Sequence, residues 1–211
     1  MRIVLTGGIA CGKSLVAKFL RELGVRVLDA DEVVHELEGP GGTAVPAIVA
    51  RFGASILAPD GSVARARLAD TVFGGARENA RKDLEAILHP LVRQRLLAWL
   101  EATPAGKEIR VVVIPLLFES HWESDYDTII AVSATEDRQI DRMMRTRGYT
   151  RAQAKARLEA QMSAAAKAAR ADWTIHNDES PEELKARVRE CIDWLSGRME
   201  KRDEHRRQYG S

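Results

Sequence analysis

The sequence has 211 residues, of which 45% are hydrophobic and 30% are charged, a composition that predicts a globular protein with a sizeable core. Its 32 basic and 31 acidic residues give a formal net charge of +1, so the overall charge favours neither a nucleic acid nor a membrane as partner. It holds two cysteines and no apolar run near the roughly 18 residues of a membrane span, so we expect a cytoplasmic protein without disulfides.

The first thirty residues predict a strand, a helix and a second strand. Residues 2–6 are mostly apolar and β-branched and stop at a glycine pair, whereas the apolar residues of 13–23 recur at helical spacing until Gly24. Residues 25–28 (VRVL) predict a second short strand. A strand–helix–strand unit of this length predicts a parallel sheet.

The rest of the chain predicts a helical segment followed by three more strands. Residues 32–104 have mostly helical patterning, which indicates an inserted helical part. Residues 111–114 are entirely β-branched and predict a central buried strand, 128–132 predict another, and 173–176 predict an edge strand. The final helix is expected to end near Gly197, and the charged tail 198–211 is expected to fray.

Three helix starts in the second half have the spacing of a capping box, in which a hydroxyl residue is followed three positions later by Glu or Gln. They are Ser133 with Glu136, Thr150 with Gln153, and Ser180 with Glu183.

Residues 7–14, GGIACGKS, match the phosphate-binding pattern G-x-x-x-x-G-K-[ST] between a predicted strand and a predicted helix. Glycines let backbone N–H groups surround an anion, the helix directs its N-terminal dipole at the same place, and the lysine reaches the β- and γ-phosphates. The residues expected to contact ATP here are Gly8, Ile9, Ala10, Cys11, Gly12, Lys13, Ser14 and Leu15. Cys11 is expected to contribute its backbone, with a reactive thiol as the alternative.

The base-reading motif Asn-Lys-x-Asp and the switch motif Asp-x-x-Gly of GTPases are both missing from the sequence, which argues against a GTPase.

The second strand ends in Leu28-Asp29-Ala30-Asp31, where carboxylates of a parallel sheet point into the ligand crevice. We expect Asp31 to accept the proton of an acceptor hydroxyl and Asp29 to be structural. The alternative is that Asp29 or Asp31 only caps the following helix.

The segments TGGIACGKS and LDAD resemble the dephospho-coenzyme A kinase family. Further matches follow in order along the chain: Asp60-Gly61 with Arg65 and Leu68, 88–92 (LHPLV), 115–119 (PLLFE), Gln139, Arg142, Arg157, Gln161, Lys167, and 171–177 (ADWTIHN). The resemblance implies transfer of the γ-phosphoryl group of MgATP to the ribose 3′-hydroxyl of dephospho-CoA.

The resemblance also implies an α/β fold of the P-loop kinase type, a parallel sheet flanked by helices with a helical acceptor-binding insertion and a helical lid. Within one domain, the core would span about 1–31, 105–135 and 171–197, the insertion 32–104 and the lid 136–170. The expected partners are ATP and dephospho-CoA, with no nucleic acid and no membrane, and a monomer is favoured.

By the same resemblance, Asp31 is the general base, and Arg65 and His89 lie where the family holds its acceptor. Glu119 is expected to face the crevice and bind the acceptor. A surface salt bridge is the alternative for Arg65, and a helix break is the alternative for His89 with Pro90. The leucines and Phe118 of PLLFE are expected to belong to the core.

The predicted lid carries Arg142, which with Lys13 is expected to stabilise the transferring phosphoryl group. The alternative for Arg142 and its neighbouring arginines is a solvated helix face. The family's second lid arginine has no direct counterpart, and Arg145 or Arg147 could replace it. Gln161 and Lys167 are expected on a helix surface or packed in the lid. Asn177 lies near the adenine by resemblance, with a turn residue as the alternative, and His176 stands where the family commonly has Asp.

Magnesium is expected to be held by Ser14, the phosphates and water, because Pro115 rather than an aspartate follows residues 111–114.

Two other functions remain compatible with the phosphate-binding motif. One is a different small-molecule or nucleoside monophosphate kinase of this fold, and the other is a nucleotide-dependent switch without an acceptor.

Overall fold

The computed structural model describes residues 1–73, 78–102 and 108–209. Five strands form one sheet in the order β2-β3-β1-β4-β5, and the pairings β1–β3, β1–β4 and β4–β5 are parallel. The strands are β1 Ile3–Gly7, β2 Arg26–Asp29, β3 Arg110–Val113, β4 Thr128–Ser133 and β5 Trp173–His176. The predicted α/β class with a parallel sheet is therefore confirmed, and β5 is an edge strand as predicted.

The chain divides into two compact units, one of Met1–Val27 with Pro104–Ser211 and one of Leu28–Thr103. The first unit contains α1 Lys13–Glu22, α6 Glu136–Arg147, α7 Arg151–Glu159, α8 Ala164–Ala169 and α9 Pro181–Tyr209. The second contains α2 Ala30–Glu38, α3 Val45–Phe52, α4 Arg65–Phe73 and α5 Glu78–Glu101. The predicted lid, 136–170, lies in the first of these units.

The core of the first unit forms where the β-branched strands meet the apolar faces of α1 and α9. Leu5 pairs with Val113 on one side and Ile130 on the other, and all three are buried. Strands buried on both faces read as continuous apolar runs, which explains why residues 111–114 could be identified from sequence. Removing such side chains from water is the main force that closes the helices onto the sheet.

Two of the three predicted capping boxes are confirmed and one is wrong. Thr150 with Gln153 exchanges both bonds of the box at the start of α7, and Ser180 with Glu183 does the same before α9. Ser133 is instead the last residue of β4, and Thr135 is the N-cap of α6. The strand extends one residue further than its apolar run because Ser133 pairs with His176 in the sheet.

The charged tail does not fray as expected, since α9 continues through Gly197 to Tyr209. Arg202 pairs with Asp127 at 2.9 Å, and Arg198 lies 3.9 Å from Asp172. Asp127 stands just before β4 and Asp172 just before β5. The arginines of α9 therefore lie beside opposite charges at the amino ends of these two strands. Exposed ion pairs of this kind contribute at most about 1 kcal/mol each, against the roughly 1 kcal/mol that a glycine costs inside a helix.

The second unit has its own apolar core, which joins Ile48, Ile56, Leu68 and Leu88 from α3, α4, α5 and the turn between α3 and α4. Its longest helix, α5, runs through Pro90, so the alternative of a helix break at His89 with Pro90 is wrong. Among the described residues, no helix is both long and apolar enough to cross a membrane.

The PLLFE segment is only partly core. Leu117 and Phe118 are buried as expected, but Leu116 is 38% exposed. The segment forms a turn after the end of β3. Its side chains therefore do not alternate between two faces as those of a strand would, and they point in several directions.

Candidate active site

The predicted phosphate loop lies between the end of β1 at Gly7 and the start of α1 at Lys13. Ala10 and Gly12 both have positive φ, 57° and 95°, which is the left-handed backbone that forms anion-binding concavities. A Cβ on Gly7, whose φ is 152°, would overlap the carbonyl oxygen of Val132 on the neighbouring strand. Glycine is therefore required at this position by the close approach of β4.

The ammonium group of Lys13 lies at this loop. Its Nζ donates hydrogen bonds to the carbonyl oxygens of Gly7 and Gly8, each at 2.8 Å. A compact cation of this kind is suited to bind the oxygens of a polyphosphate.

Three side chains from outside the loop bind its carbonyl groups. Gln139 of α6 donates to Ile9 at 2.6 Å, and Asn177 after β5 donates to Cys11 at 2.7 Å. Arg142 of α6 donates to Ala10 at 3.2 Å and, through its other Nη, to the carbonyl of Asn177 at 2.7 Å. Since C=O and N–H of a trans peptide point in opposite directions, the N–H groups of Ala10 and Gly12 face away from these side chains.

Cys11 is fully buried, and burial raises the pKa of its thiol despite the opposing charge of Lys13. A raised pKa keeps the sulfur protonated near neutral pH, and burial denies it to reagents. The residue therefore serves the loop through its backbone, and the alternative of a reactive thiol is not supported.

A cavity of about 600 Å³ adjoins the loop between α6 and the start of α9. Leu15, Met144 and Pro181 supply apolar surface, and Arg142 and Arg145 supply charge. Arg138, Asp141 and Glu179 line it as well, so charged side chains make up half of its lining and suit an anionic ligand more than an apolar one. Arg145 thus shares a cavity with Arg142, whereas the lining does not include Arg147; both Arg145 and Arg147 are exposed residues of α6.

A second cavity, of about 510 Å³, opens on the other part of the loop. It is lined by Gly8 and Ile9, by Gln139, and by residues of the predicted lid that include Gln161. His176, at the end of β5, also lines it.

In the second unit, Asp29 and Asp31 have different roles. The side chain of Asp29 accepts a hydrogen bond from the N–H of Asp31 at 2.9 Å, and Glu32 completes a capping box for α2. Asp29 is structural, as predicted, and Asp31 is not the cap. The exposed side chain of Asp31 lies in the first turn of α2, at a cavity of about 330 Å³.

That cavity brings together some of the predicted acceptor residues. Arg65 lines it with Asp31 and with Glu38, which the sequence did not single out. The rest of its wall is His35 together with five apolar side chains: Val34, Leu68, Ala69, Val72 and Leu84. The described lining does not include His89, which stands in α5.

Glu119 binds another protein group in the first unit. Its Oε1 accepts from Lys167 Nζ at 2.9 Å and from the N–H of Met162 at 3.1 Å. Lys167 is 0% exposed and also donates to the carbonyl of Pro115 at 2.8 Å. Of the two expectations for this residue, the helix surface is therefore wrong, whereas a packed position in α8 agrees with the structure. A signal was available, because α8 reads AAAKAA, and a helix of small residues packs closely enough to bury a lone lysine.

The residues present fit a magnesium ion that is bound mainly by phosphates. Among the described residues, no cluster of three or more His, Cys, Asp or Glu side chains could hold a metal ion. Ser14 has an exposed hydroxyl in the first turn of α1. A single protein oxygen beside phosphates and water is a common environment for this ion.

Comparison with known proteins gives one consistent result. A family profile described as dephospho-CoA kinase matches residues 1–183. The dephospho-CoA kinase of Geobacillus kaustophilus is 44% identical over 189 residues, covering 89% of this chain and 93% of the relative. That of Thermobifida fusca is 40% identical over 204 residues, covering 96% and 100%. The solved structure of dephospho-CoA kinase from Campylobacter jejuni superposes with a TM-score of 0.72 at 26% identity, covering 93% and 97%.

Proposed function

The chain belongs to the dephospho-CoA kinase family, and from that premise we propose which of its residues carry the reaction. The activity is the ATP-dependent phosphorylation of dephospho-CoA, the last step of coenzyme A biosynthesis. The acceptor atom is the ribose 3′-hydroxyl. The observation that carries the assignment of roles is the loop of residues 7–14, whose carbonyl groups are held by Gln139, Arg142 and Asn177.

The loop binds the triphosphate of ATP. Backbone N–H groups of residues Gly8 to Leu15 surround the phosphate oxygens, and the dipole of α1 adds to the positive field. Lys13 moves its ammonium from the loop carbonyls to the β- and γ-phosphates. Asn177 keeps the loop in this shape from the end of β5, near the adenine.

Asp31 is the general base. Its carboxylate is exposed at a cavity rather than used as the cap of α2, so it can accept a hydrogen bond from the acceptor's hydroxyl. As the new P–O bond forms, the hydroxyl proton passes to the Asp31 carboxylate, while the γ-phosphoryl leaves ADP. Positioning of the hydroxyl in line with the γ-phosphate is the other contribution of this residue.

Arg142 stabilises the charge that spreads over the transferring phosphoryl group. Its guanidinium already lies within hydrogen-bond distance of the loop at Ala10. Arg145 is the better candidate for the second lid arginine, because it lines the cavity that Arg142 also lines. Closure of helices α6 to α8 would exclude water and so prevent hydrolysis of ATP.

Magnesium would be bound by the Ser14 hydroxyl, the phosphates and water. When bound, it neutralises negative charge on the β- and γ-phosphates.

Arg65 and His89 are assigned to acceptor binding. Glu119 is kept as an acceptor-side residue, although its bond to Lys167 also supports a purely structural role. The enzyme is proposed to act in the cytoplasm as a monomer.

Mass spectrometry of the product tests the function. Incubation with ATP, Mg²⁺ and dephospho-CoA should give a product about 80 Da heavier, with fragments that place the new phosphate on the ribose. A panel of nucleoside monophosphates serves as the competing acceptor set. Faster phosphorylation of any of these would overturn the proposed acceptor.

The role of Asp31 is tested by Asp31→Asn, with Asp70→Asn on the exposed face of α4 as the matched control. Asp31→Asn should lower kcat by about 10²–10⁴, the usual contribution of general-base catalysis, and leave the Kd for ATP within about twofold. Asp70→Asn should behave as the unmodified enzyme. Equal turnover in Asp31→Asn would refute the role of base.

A further inference from the structure

Glu38 and Arg65 form an ion pair in which one partner is buried and the other reaches a cavity. Arg65 Nε lies 2.9 Å from Glu38 Oε2. The side chain of Glu38 is 6% exposed and that of Arg65 is 42% exposed. Both residues line the cavity of about 330 Å³ that also exposes Asp31.

Neither residue is placed where it would best stabilise its own helix. Glu38 is the last residue of α2, and Arg65 is the first residue of α4, so each charge has the unfavourable sign for its helix dipole. Burying the carboxylate of Glu38 also costs free energy that its ion pair must offset. The arrangement therefore calls for a reason other than helix stability.

The geometry of the pair directs the arginine. A guanidinium is planar, and a bond through Nε occupies only one of its edges, so the edge formed by its two Nη groups can still meet a second anion. The backbone carbonyl of Glu38 also accepts from the N–H of Val63 at 2.9 Å, which fixes the chain just before α4. Glu38 thus fixes both the start of the segment that carries Arg65 and the orientation of its side chain.

The chemistry of the cavity matches the acceptor. Dephospho-CoA has a ribose hydroxyl, a diphosphate, and apolar surface on its base and its pantetheine arm. The cavity offers the Asp31 carboxylate, the Arg65 guanidinium and an apolar wall that includes Leu68 and Val72. An arginine Nη edge is a good partner for diphosphate oxygens, whereas the Glu38 carboxylate would repel them unless it were paired.

We propose that Glu38 is a positioning residue for the acceptor, which acts by holding Arg65 so that its guanidinium binds the diphosphate of dephospho-CoA. The inference rests on the proposed role of Arg65 in acceptor binding. Glu38 itself does not touch the substrate. Its contribution is the orientation of a long side chain that would otherwise sample many rotamers at an entropic cost.

The test uses four variants of the full chain: Glu38→Met, Glu38→Gln, Arg65→Ala, and Glu38→Met combined with Arg65→Ala. Methionine fills the volume of a buried glutamate without accepting the bond, and glutamine keeps an oxygen that accepts from Nε. Asp83→Ala is the matched control, because it removes the exposed Arg51–Asp83 ion pair from the same unit. KM is measured separately for dephospho-CoA and for ATP, with thermal unfolding as a check of folding.

Glu38→Met should raise the KM for dephospho-CoA about tenfold, Glu38→Gln less than threefold, and Asp83→Ala not at all, while the KM for ATP stays within about twofold. The double variant should match Arg65→Ala, since Glu38 acts only through that residue. An unchanged or lower KM for dephospho-CoA in Glu38→Met, or multiplicative effects in the double variant, would overturn the inference alone. An unchanged KM in Arg65→Ala would instead refute the proposed role of Arg65 and this inference with it.

Discussion

The side-chain amide of Asn177 donates a hydrogen bond to the carbonyl oxygen of Cys11 at 2.7 Å, joining the residue after β5 to the phosphate loop. The bond is buried, and the two residues are 166 positions apart. A Cβ on Gly12 would overlap the same amide nitrogen, so Asn177 packs directly against the backbone of the loop at this glycine. The shape of the loop is therefore set partly by an edge strand distant in sequence.

Replacing Asn177 with Ala should weaken ATP binding. The change leaves the Cys11 carbonyl without its buried partner, a loss of about 1–2 kcal/mol that corresponds to a rise of roughly 5- to 30-fold in the Kd for ATP. Isothermal titration with ATP measures it. Asn79→Ala in α5 is the control and should bind as the unmodified chain. A Kd for ATP unchanged in Asn177→Ala would show that the loop keeps its shape without this bond.

The three arginines at the end of α6 should differ in their effect on catalysis. Arg142→Ala should lower kcat by about 10³, in line with arginines that stabilise transferring phosphoryl groups. Arg145→Ala should lower kcat about tenfold, because this residue lines the same cavity, and Arg147→Ala should change it less than twofold. Steady-state kinetics at saturating ATP and acceptor decides. A larger loss in Arg147→Ala than in Arg145→Ala would reverse the assignment of the second lid arginine.

Lys167→Met should destabilise the fold by about 3 kcal/mol, because it leaves the Glu119 carboxylate and the Pro115 carbonyl without their buried cation. Urea unfolding followed by circular dichroism gives the free energy of unfolding. Lys18→Met, at a solvent-exposed lysine of α1, should change it by less than about 0.5 kcal/mol. If Lys167→Met unfolds at the same urea concentration as the unmodified chain, the buried pair does not contribute to stability.

The carboxyl group of Asp127, just before β4, should make the stability of the fold depend on pH. Partial burial favours a higher pKa, but the N–H of Arg2 and the guanidinium of Arg202 outweigh it and lower the pKa of this carboxyl. A lowered folded-state pKa stabilises the fold above the unfolded value of about 3.9, and the stabilisation is lost as pH falls through the folded value. The difference in Tm between the unmodified chain and Asp127→Asn should thus be largest near pH 7 and shrink below about pH 4.

The control for this pH experiment is Asp203→Asn on the exposed part of α9, whose difference in Tm should stay near zero throughout. A difference for Asp127→Asn that grows as the solution becomes acidic would contradict the sign of the shift.

Local patterns in the sequence were enough for most elements of the fold. Residues 111–114 identify a buried strand because β-branched side chains in an unbroken run can be buried on both faces of a sheet. Thr150 with Gln153 identifies a helix start because both of its hydrogen bonds lie within four residues. The same pattern at Ser133 wrongly predicted a helix start. Ser133 pairs with β5 in the sheet instead, and the residues around Ser133 do not reveal this distant partner.

The position of the phosphate loop with Lys13 and the structural role of Asp29 were determined by the sequence alone, since each is identified by residue types at fixed spacing within a short segment. The conformation of the loop also depends on long-range contacts of Gly7 with β4 and of Gly12 with Asn177. The burial of Lys167 against Glu119, the grip of Asn177 on Cys11, the helical tail held by Asp127, and the pairing of Glu38 with Arg65 were decided by tertiary structure. The physical reason is that a charged or amide side chain takes whichever partner the packed chain brings within about 3 Å, and that partner can be more than a hundred residues away.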